Sequence, residues 1–298
     1  MKSKNFSVSI GIPAYNEEKM IKLLLAALLS QKEEGFVLNQ IIVMCDGCTD
    51  NTARVAREIR DSRIRVIDDG KRCGKSARVS KIFQVFKADI LFLIDADVII
   101  KDDFLLSRIV SNTDFGKAGI VGINAMPLPA KTTFEKIIEA GVLIRKEISR
   151  NWRGGNNYLS FMGCFLGLDG KYAKSIQLPH GIVNNDGYLY LKAKELGYET
   201  KYIDDLNVYY KSPANFKDHL AQSSRYQKSH EELQNYFSIP LFEEYAIPFP
   251  VSFRSTFLFF LRRPLDTLLY IGVRFLTKIR RDKKVTSRWR IAFSTKNS

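Results

Sequence analysis

Residues 90–97 read ILFLIDAD. Ile90, Leu91, Phe92, Leu93 and Ile94 make a short unbroken apolar run, as in a strand buried on both faces of a parallel sheet. The run stops at two carboxylates, Asp95 and Asp97, one residue apart. Ligands of open α/β sheets collect at the carboxyl ends of the strands, so this pair stands where a site is expected. Two hard oxygen ligands at this spacing suit magnesium or manganese bridging to a diphosphate. The same acids could simply cap the next helix, and Asp-x-Asp alone does not separate the two.

The rest of the chain supplies the setting for such a strand. Phe6, Val8, Ile10 and Ile12 alternate with small residues in a first strand ending at Pro13, and a helix follows through Leu29 with Asn16 as its N-cap. Ile41–Met44 is a second strand, followed by a helix that Thr49 or Asp50 caps and that runs to Ile59. Arg63–Ile67 is a third strand, and Ala77–Phe86 a helix leading into the ILFLI strand. This alternation predicts a mostly parallel central sheet with right-handed crossovers. Beyond Asp97, Ile120–Ile123 is a candidate strand, and Thr132 with Glu135 has capping-box spacing before a helix to about Ile148. The stretch RNWRGGNNYLSFMGCF (150–165) reads as a binding loop. A helix is expected from Asn185 to Leu196, ended by Gly197. Strands at Thr200–Ile203 and Asn207–Tyr210 and a long helix from Asn215 to Tyr236 complete the pattern.

Composition narrows the class. A chain of 298 residues holds one large α/β domain, or one with an appendage. With 45% apolar and 26% charged residues, gross disorder is excluded. The net charge of +14 invites anionic partners. From Phe253 onward twelve Lys and Arg face only Asp266 and Asp282, so this tail carries +10 of it. Cys45 and Cys48 form one C-x-x-C with no second pair, and His180, His219 and His230 lack metal-ligand spacing, so free thiols are expected rather than zinc. The first ten residues, MKSKNFSVSI, contain no apolar signal segment, and no run is long and apolar enough to span a bilayer. A cytoplasmic catalytic part is expected.

Several motifs, in order, resemble family 2 glycosyltransferases over roughly residues 6–230. IGIPAYNEE (10–18) resembles the opening donor-binding segment, with Pro13, Tyr15 and Glu17. CDGCTDNT (45–52) resembles the acidic turn whose aspartate reads the nucleotide base, which here is Asp46, with Cys45 where the family usually has another aspartate. GKSARVS (74–80) places Lys75 at the lysine that approaches the phosphates. IDADV matches the metal-binding DxD, with Asp95 towards the nucleotide and Asp97 as the better metal ligand. NND (184–186) puts Asp186 at the position of the catalytic base, with Asn185 in place of a glutamate. QSSRY (222–226) resembles QxxRW, Gln222 and Arg225 matching and Tyr226 replacing the tryptophan. Some relatives carry a metal-binding histidine where this chain has Tyr209 and Tyr210.

The resemblance implies a GT-A fold over residues 1–238 and inverting transfer from a nucleoside diphosphate sugar, with a UDP-sugar as the expected donor, to an acceptor hydroxyl. It also implies a divalent ion, Mn or Mg, and an acceptor that is lipid-linked or a glycan. By residue chemistry alone, Gln222, Arg225 and Tyr226 share one helix face, which suits a diphosphate and a sugar but also an ordinary polar surface. Two rivals bear on function. DGKRCGKS (69–76) nearly fits a P-loop, with Asp69 where the first glycine belongs, which suggests an NTPase. The basic tail (239–298) could serve a nucleic-acid-binding protein. Its mixture of Phe and Leu blocks with Arg and Lys instead favours interfacial helices on an anionic membrane, broken at Pro264, with nucleic acid not a partner. The same helices could also pack on the catalytic domain. The expected placement is peripheral, on the inner face of the cell membrane.

Overall fold

The computed structural model describes residues 5–237, 241–280 and 295, without the side chains of residues 225–230, 241 and 242. Seven strands form one sheet in the order β3-β2-β1-β4-β6-β5-β7. They are β1 (Phe6–Ala14), β2 (Phe36–Cys45), β3 (Ile64–Ile67), β4 (Ile90–Ile94), β5 (Ala118–Pro127), β6 (Phe165–Asp169) and β7 (Glu199–Tyr210). All pairings are parallel except those of β6, which runs antiparallel between β4 and β5. The sequence placed β4 to the residue. Its pleat sends Ile90, Phe92 and Ile94 into one apolar layer and Leu91 and Leu93 into the other, which is why the run lacks alternation.

The helices fill both layers. On the first face lie α1 (Ile21–Leu29), α2 (Thr52–Glu58) and α4 (Leu105–Ser111), contributing Leu24, Leu25, Ala56 and Ile109. On the second lie α3 (Lys75–Val85), α6 (Gly170–Ser175) and α7 (Asn185–Glu195), contributing Val79, Ile82, Tyr172 and Leu189. Helix α5 (Thr133–Asn151) starts with the expected capping box: Thr132 accepts from the Glu135 backbone and the Glu135 side chain accepts in return. Helix α8 (Phe216–Leu233) follows β7, and α9 (Leu241–Tyr245), α10 (Phe249–Arg262) and α11 (Pro264–Ile279) complete the described part.

Four expectations are corrected. Asn16 does not cap α1; it has φ of 53° and ties its loop to Thr49, while the Glu17 carbonyl accepts from Met20 and Ile21 at the helix start. The two short strands after α7 are one, β7, whose ladder shifts register between Ile203 and Asn207. The glycine-rich loop ends in a strand, β6, because FLGLD is buried throughout and carries no period for a pattern to register. Helix α3 begins at Lys75, two residues before the expected Ala77.

Among the described residues no helix is long and apolar enough to cross a membrane. Helices α10 and α11 lie against α5 and against each other, with Pro264 at the first turn of α11 as the break. Asn151 of α5 donates to Ser255 of α10 at 3.2 Å. Gly141 of α5 sits under Tyr270 of α11 so closely that a Cβ there would lie 2.0 Å from the ring. Gly141→Ala should therefore cost about 1–3 kcal/mol of overpacking and loosen α11. Urea unfolding and limited proteolysis within residues 249–280 check this, with unchanged cleavage counting against it.

Candidate active site

Because β1, β2, β4, β5 and β7 run in the same direction, their carboxyl ends share one edge of the sheet, and the predicted site residues gather there. Past Ile94 the chain turns, the Val98 N–H donating to the Asp95 carbonyl at 3.1 Å, so that Ala96 and Val98 are buried while Asp95 and Asp97 line a cleft. Backbone bonds in both directions between Ile99 and Tyr209 tie this turn to the end of β7. Lys75 enters from the first residue of α3, and its ammonium lies 2.5 Å from Asp95 Oδ1 and 3.0 Å from the Gly163 carbonyl. Asp186 arrives from the first turn of α7, where its Oδ2 accepts from the Gly163 N–H at 3.0 Å. The backbone of residues 163 and 164 thus stands between the two carboxylates, since Asp95 N–H donates to the Cys164 carbonyl. Any side chain at Gly163 would press on Asp186, whose Cγ is 3.0 Å from the position of a Cβ.

The N-cap question at α7 resolves in favour of Asn184, whose side chain accepts from Gly187 N–H. Asp186 is therefore left to the cleft, in the turn where the helix dipole favours its charge. Burial raises its pKa above the ordinary carboxylate value, and the Lys75 charge offsets this only in part. For Lys75 burial works against the ammonium, but Asp95 and Asp186 outweigh it and hold the pKa above the usual lysine value. Cys164, half-buried beside Asp95, is pushed up to about 12 by desolvation and stays a thiol. Gln222 of α8 also lines the cleft, as do Tyr210 and Lys211. Arg225 and Tyr226 fall on α8, but their side chains lie outside the described residues.

The neighbouring side of the sheet edge, past β2 and β3, is organised by a residue the sequence did not single out. Arg78 of α3 is fully buried and donates to Asp46 at 2.9 Å and to Asp69 at 2.8 and 3.0 Å. Burial opposes the charge, yet Asp69 and Asp46 raise the guanidinium pKa still further. Asp46 also accepts from the backbone of Cys73 and Gly74 and from Arg72, so its carboxylate anchors the 69–74 turn. The Arg72 guanidinium stacks 3.1 Å above the centre of the Tyr15 ring, beside the end of β1 where Pro13 lies. Glu17 is buried, and its N–H donates to Thr52. At the turn after β2, the Cys45 thiol donates to Cys48, which raises the first pKa and lowers the second to about 6; all four cysteines are free. Arg72 could have been suspected from its place three residues before Lys75. Glu232, whose carboxylate accepts from the N–H groups of Val183 and Asn184, has no local signal, because only the fold brings α8 to that loop.

A model of the family described as Glycosyl transferase family 2 matches residues 9–172, more than half of the chain. The chain belongs to the family 2 glycosyltransferases. This glycosyltransferase is 48% identical over 80 residues to a 4,4'-diaponeurosporenoate glycosyltransferase of Staphylococcus aureus, a match covering 25% of this chain and only 20% of that protein. It superposes on the mannosyltransferase PcManGT from Pyrobaculum calidifontis, solved with GDP-Man and Mn2+, with a TM-score of 0.61 at 15% identity, over 93% of this chain and 76% of that one. Glucosyl-3-phosphoglycerate synthase from Mycobacterium tuberculosis, solved with Mn2+ and UDP, gives 0.57 at 17% identity, over 79% and 81%. Both are likenesses of fold, and the fold is GT-A. The P-loop reading falls with this assignment: Asp69 is engaged by Arg78 and Lys81, and Lys75 by Asp95.

Removing Arg78 would leave the buried Asp46 with only the partly exposed Arg72 as counter-charge, and would leave Asp69 with Lys81 alone. Arg78→Met should destabilise the glycosyltransferase by about 3–5 kcal/mol, and adding Asp46→Asn should recover part of that. Denaturant midpoints of the wild type and these two variants decide it. A single variant within about 0.5 kcal/mol of wild type would show that the network holds nothing together.

Proposed function

We propose that this glycosyltransferase moves a sugar from a nucleoside diphosphate sugar, a UDP-sugar by preference, to an acceptor hydroxyl with inversion. The observation that carries the reading is Asp186 in one cleft with Lys75, Asp95, Asp97 and Gln222. An acceptor hydroxyl is a poor nucleophile at neutral pH, and a carboxylate within hydrogen-bond reach can take its proton as the new bond forms. Asp186 is that base. The acceptor oxygen attacks the anomeric carbon from the face opposite the diphosphate, and the departing charge builds on the phosphates, where Lys75 and Arg225 can offset it. Asp46, Arg72 and Tyr15, with Pro13 and Glu17 behind them, form the nucleoside side, and Gln222 and Tyr226 the sugar or acceptor side.

Among the described residues no three His, Cys, Asp or Glu gather as a metal cage. Asp95 and Asp97 nevertheless fit a magnesium or manganese ion of the kind bound by one or two carboxylates and completed by substrate phosphates. Such an ion would be held chiefly by Asp97, since Lys75 already pairs with Asp95. Bound there, it would supply Lewis-acid stabilisation of the leaving diphosphate.

The tail (239–298) we read as a peripheral anchor on the inner face of the cell membrane, bringing the cleft to a lipid-linked acceptor. Its helices are inverted relative to those of a water-soluble protein. Ser255, Thr267 and Thr277 face inward, while Phe253, Leu261, Leu265, Leu268 and Phe275 are each more than half exposed. The exposed residues recur at helical spacing, and the Phe249, Phe253 and Phe257 rings stack in a row. An apolar stripe of this size beside Arg and Lys fits an anionic bilayer surface.

Asp186→Asn should lower turnover by a factor on the order of 100 to 10,000 with donor affinity nearly unchanged. In the wild type the acid limb of kcat/KM should fall above the ordinary aspartate value of about 3.9, because burial raises this pKa. The sign for stability is the reverse of a salt-bridged aspartate. A raised pKa means the folded state favours the protonated form and loses stability as pH rises past the unfolded value, so Asp186→Asn should melt no lower at neutral pH. Turnover within a few-fold of wild type would place the base elsewhere.

For the anchor, Leu265→Glu with Phe275→Glu should abolish sedimentation with anionic liposomes and leave the fold intact. Wild-type binding should weaken as salt is added. A wild type that ignores liposomes at low salt rules the anchor out.

A further inference from the structure

A second cavity, of about 260 Å³, opens between α5 and α10, away from the cleft. Its walls carry Lys146, Arg150 and Arg262 against a single carboxylate, Glu147, and its apolar side is Leu143, Leu258 and Phe259. Arg150 is already paired, to Asp204 at 2.7 Å, and Glu147 accepts from Asn151. Lys146 is different. Among the described residues its ammonium has the Met126 thioether as hydrogen-bond partner and no carboxylate within salt-bridge distance. Arg262 likewise has no ion-pair partner among them. Neighbouring Arg145 also ends on a thioether, Met162, at 3.1 Å.

A partly buried ammonium facing other cations is costly unless an anion completes it. Burial first, then Arg150, push Lys146 down to about 8; Asp204 offsets part of this and Arg145 adds a smaller push down. The cavity borders the exposed stripe: Leu258 belongs to both, and Phe257 and Leu261 flank it on α10. A site with a cationic floor and an apolar rim on a lipid-facing helix pair matches a head group with its chains attached, rather than a free ion.

We infer that the groove between α5 and α10 binds the phosphate of an anionic membrane phospholipid, with Lys146 and Arg262 as its charged contacts and Leu258 and Phe259 against the chain. This rests on the anchor reading above and adds a defined site to it. Lys146 and Arg262 would each give the phosphate a charge-assisted hydrogen bond. The anchor alone requires only diffuse attraction, in which every basic residue near the surface counts about equally.

The test uses the full chain, with vesicles of phosphatidylcholine alone or mixed with phosphatidylglycerol. Lys146→Met with Arg262→Gln should weaken binding to the mixed vesicles about tenfold more than the equal-charge control, Lys278→Met with Arg280→Gln. Equal losses from the two pairs would overturn the site and leave the anchor standing. No wild-type binding to either vesicle would remove both. To separate binding from any change in packing in the first pair, the wild type is also acylated with an amine-reactive reagent at pH 8 and read by peptide mass spectrometry. Modification of Lys146 should slow several-fold with mixed vesicles, and not with phosphatidylcholine vesicles or inorganic phosphate. Equal protection by inorganic phosphate would make this a free-anion site, and equal protection by phosphatidylcholine would make it simple burial; either overturns the proposal.

Discussion

The buried Arg78 guanidinium fixes the geometry on which the cleft depends. It reaches from the interior of α3 to Asp46 just past β2 and to Asp69 just past β3, joining three elements at one point. Five further donors to Asp46 and Asp69, from Lys71, Arg72, Cys73, Gly74 and Lys81, close the network. Arginine suits this position because one planar fork serves two carboxylates at once. With the 69–74 turn held, α3 has to begin at the sheet edge, and its first residue, Lys75, emerges opposite the end of β4. A lysine placed there by an unanchored turn would have no fixed relation to Asp95 or Asp186.

What the sequence made legible was whatever depends on local pattern. The β4 run could be read because burial on both faces leaves no polar residue within it, and the acids beyond it because charge at the end of such a run needs an explanation. The Thr132 capping box is a four-residue signal and was found as one. What depends on distant contacts was hidden. FLGLD, buried throughout, looks like loop when it follows a glycine-rich stretch, and only its place between β4 and β5 makes it a strand. Arg78 reads as an ordinary helical arginine until Asp46 and Asp69 are brought to it. Glu232 meets Val183 and Asn184 across 48 and more residues of chain, a separation no periodicity reports.

The tail shows the same limit from the other side. Its charge, its Phe and Leu blocks and the break at Pro264 are visible in the sequence, which leaves membrane and packing as alternatives. The structure makes them compatible. Small residues, Ser255, Thr267, Thr277 and Gly141, mediate the docking on α5, and that leaves the large apolar side chains facing outward. An amphipathic helix has two faces, and sequence alone does not say which one meets the protein.

On the proposed mechanism, the electrostatics of the cleft would link donor binding to the strength of the base. Lys75 is the cation that offsets both Asp95 and Asp186 in the protein without ligands. A diphosphate entering beside the end of β4 competes for that ammonium, and charge-assisted contacts to phosphate are among the stronger ones available to it. Each step of Lys75 towards the phosphates withdraws the positive charge that holds the Asp186 pKa down, while burial, which raises it, stays in place. The phosphate charge, being of like sign to the carboxylate, pushes the same way. On the proposed mechanism Asp186 would therefore gain proton affinity as the donor is seated, at the moment when an acceptor hydroxyl has to be deprotonated.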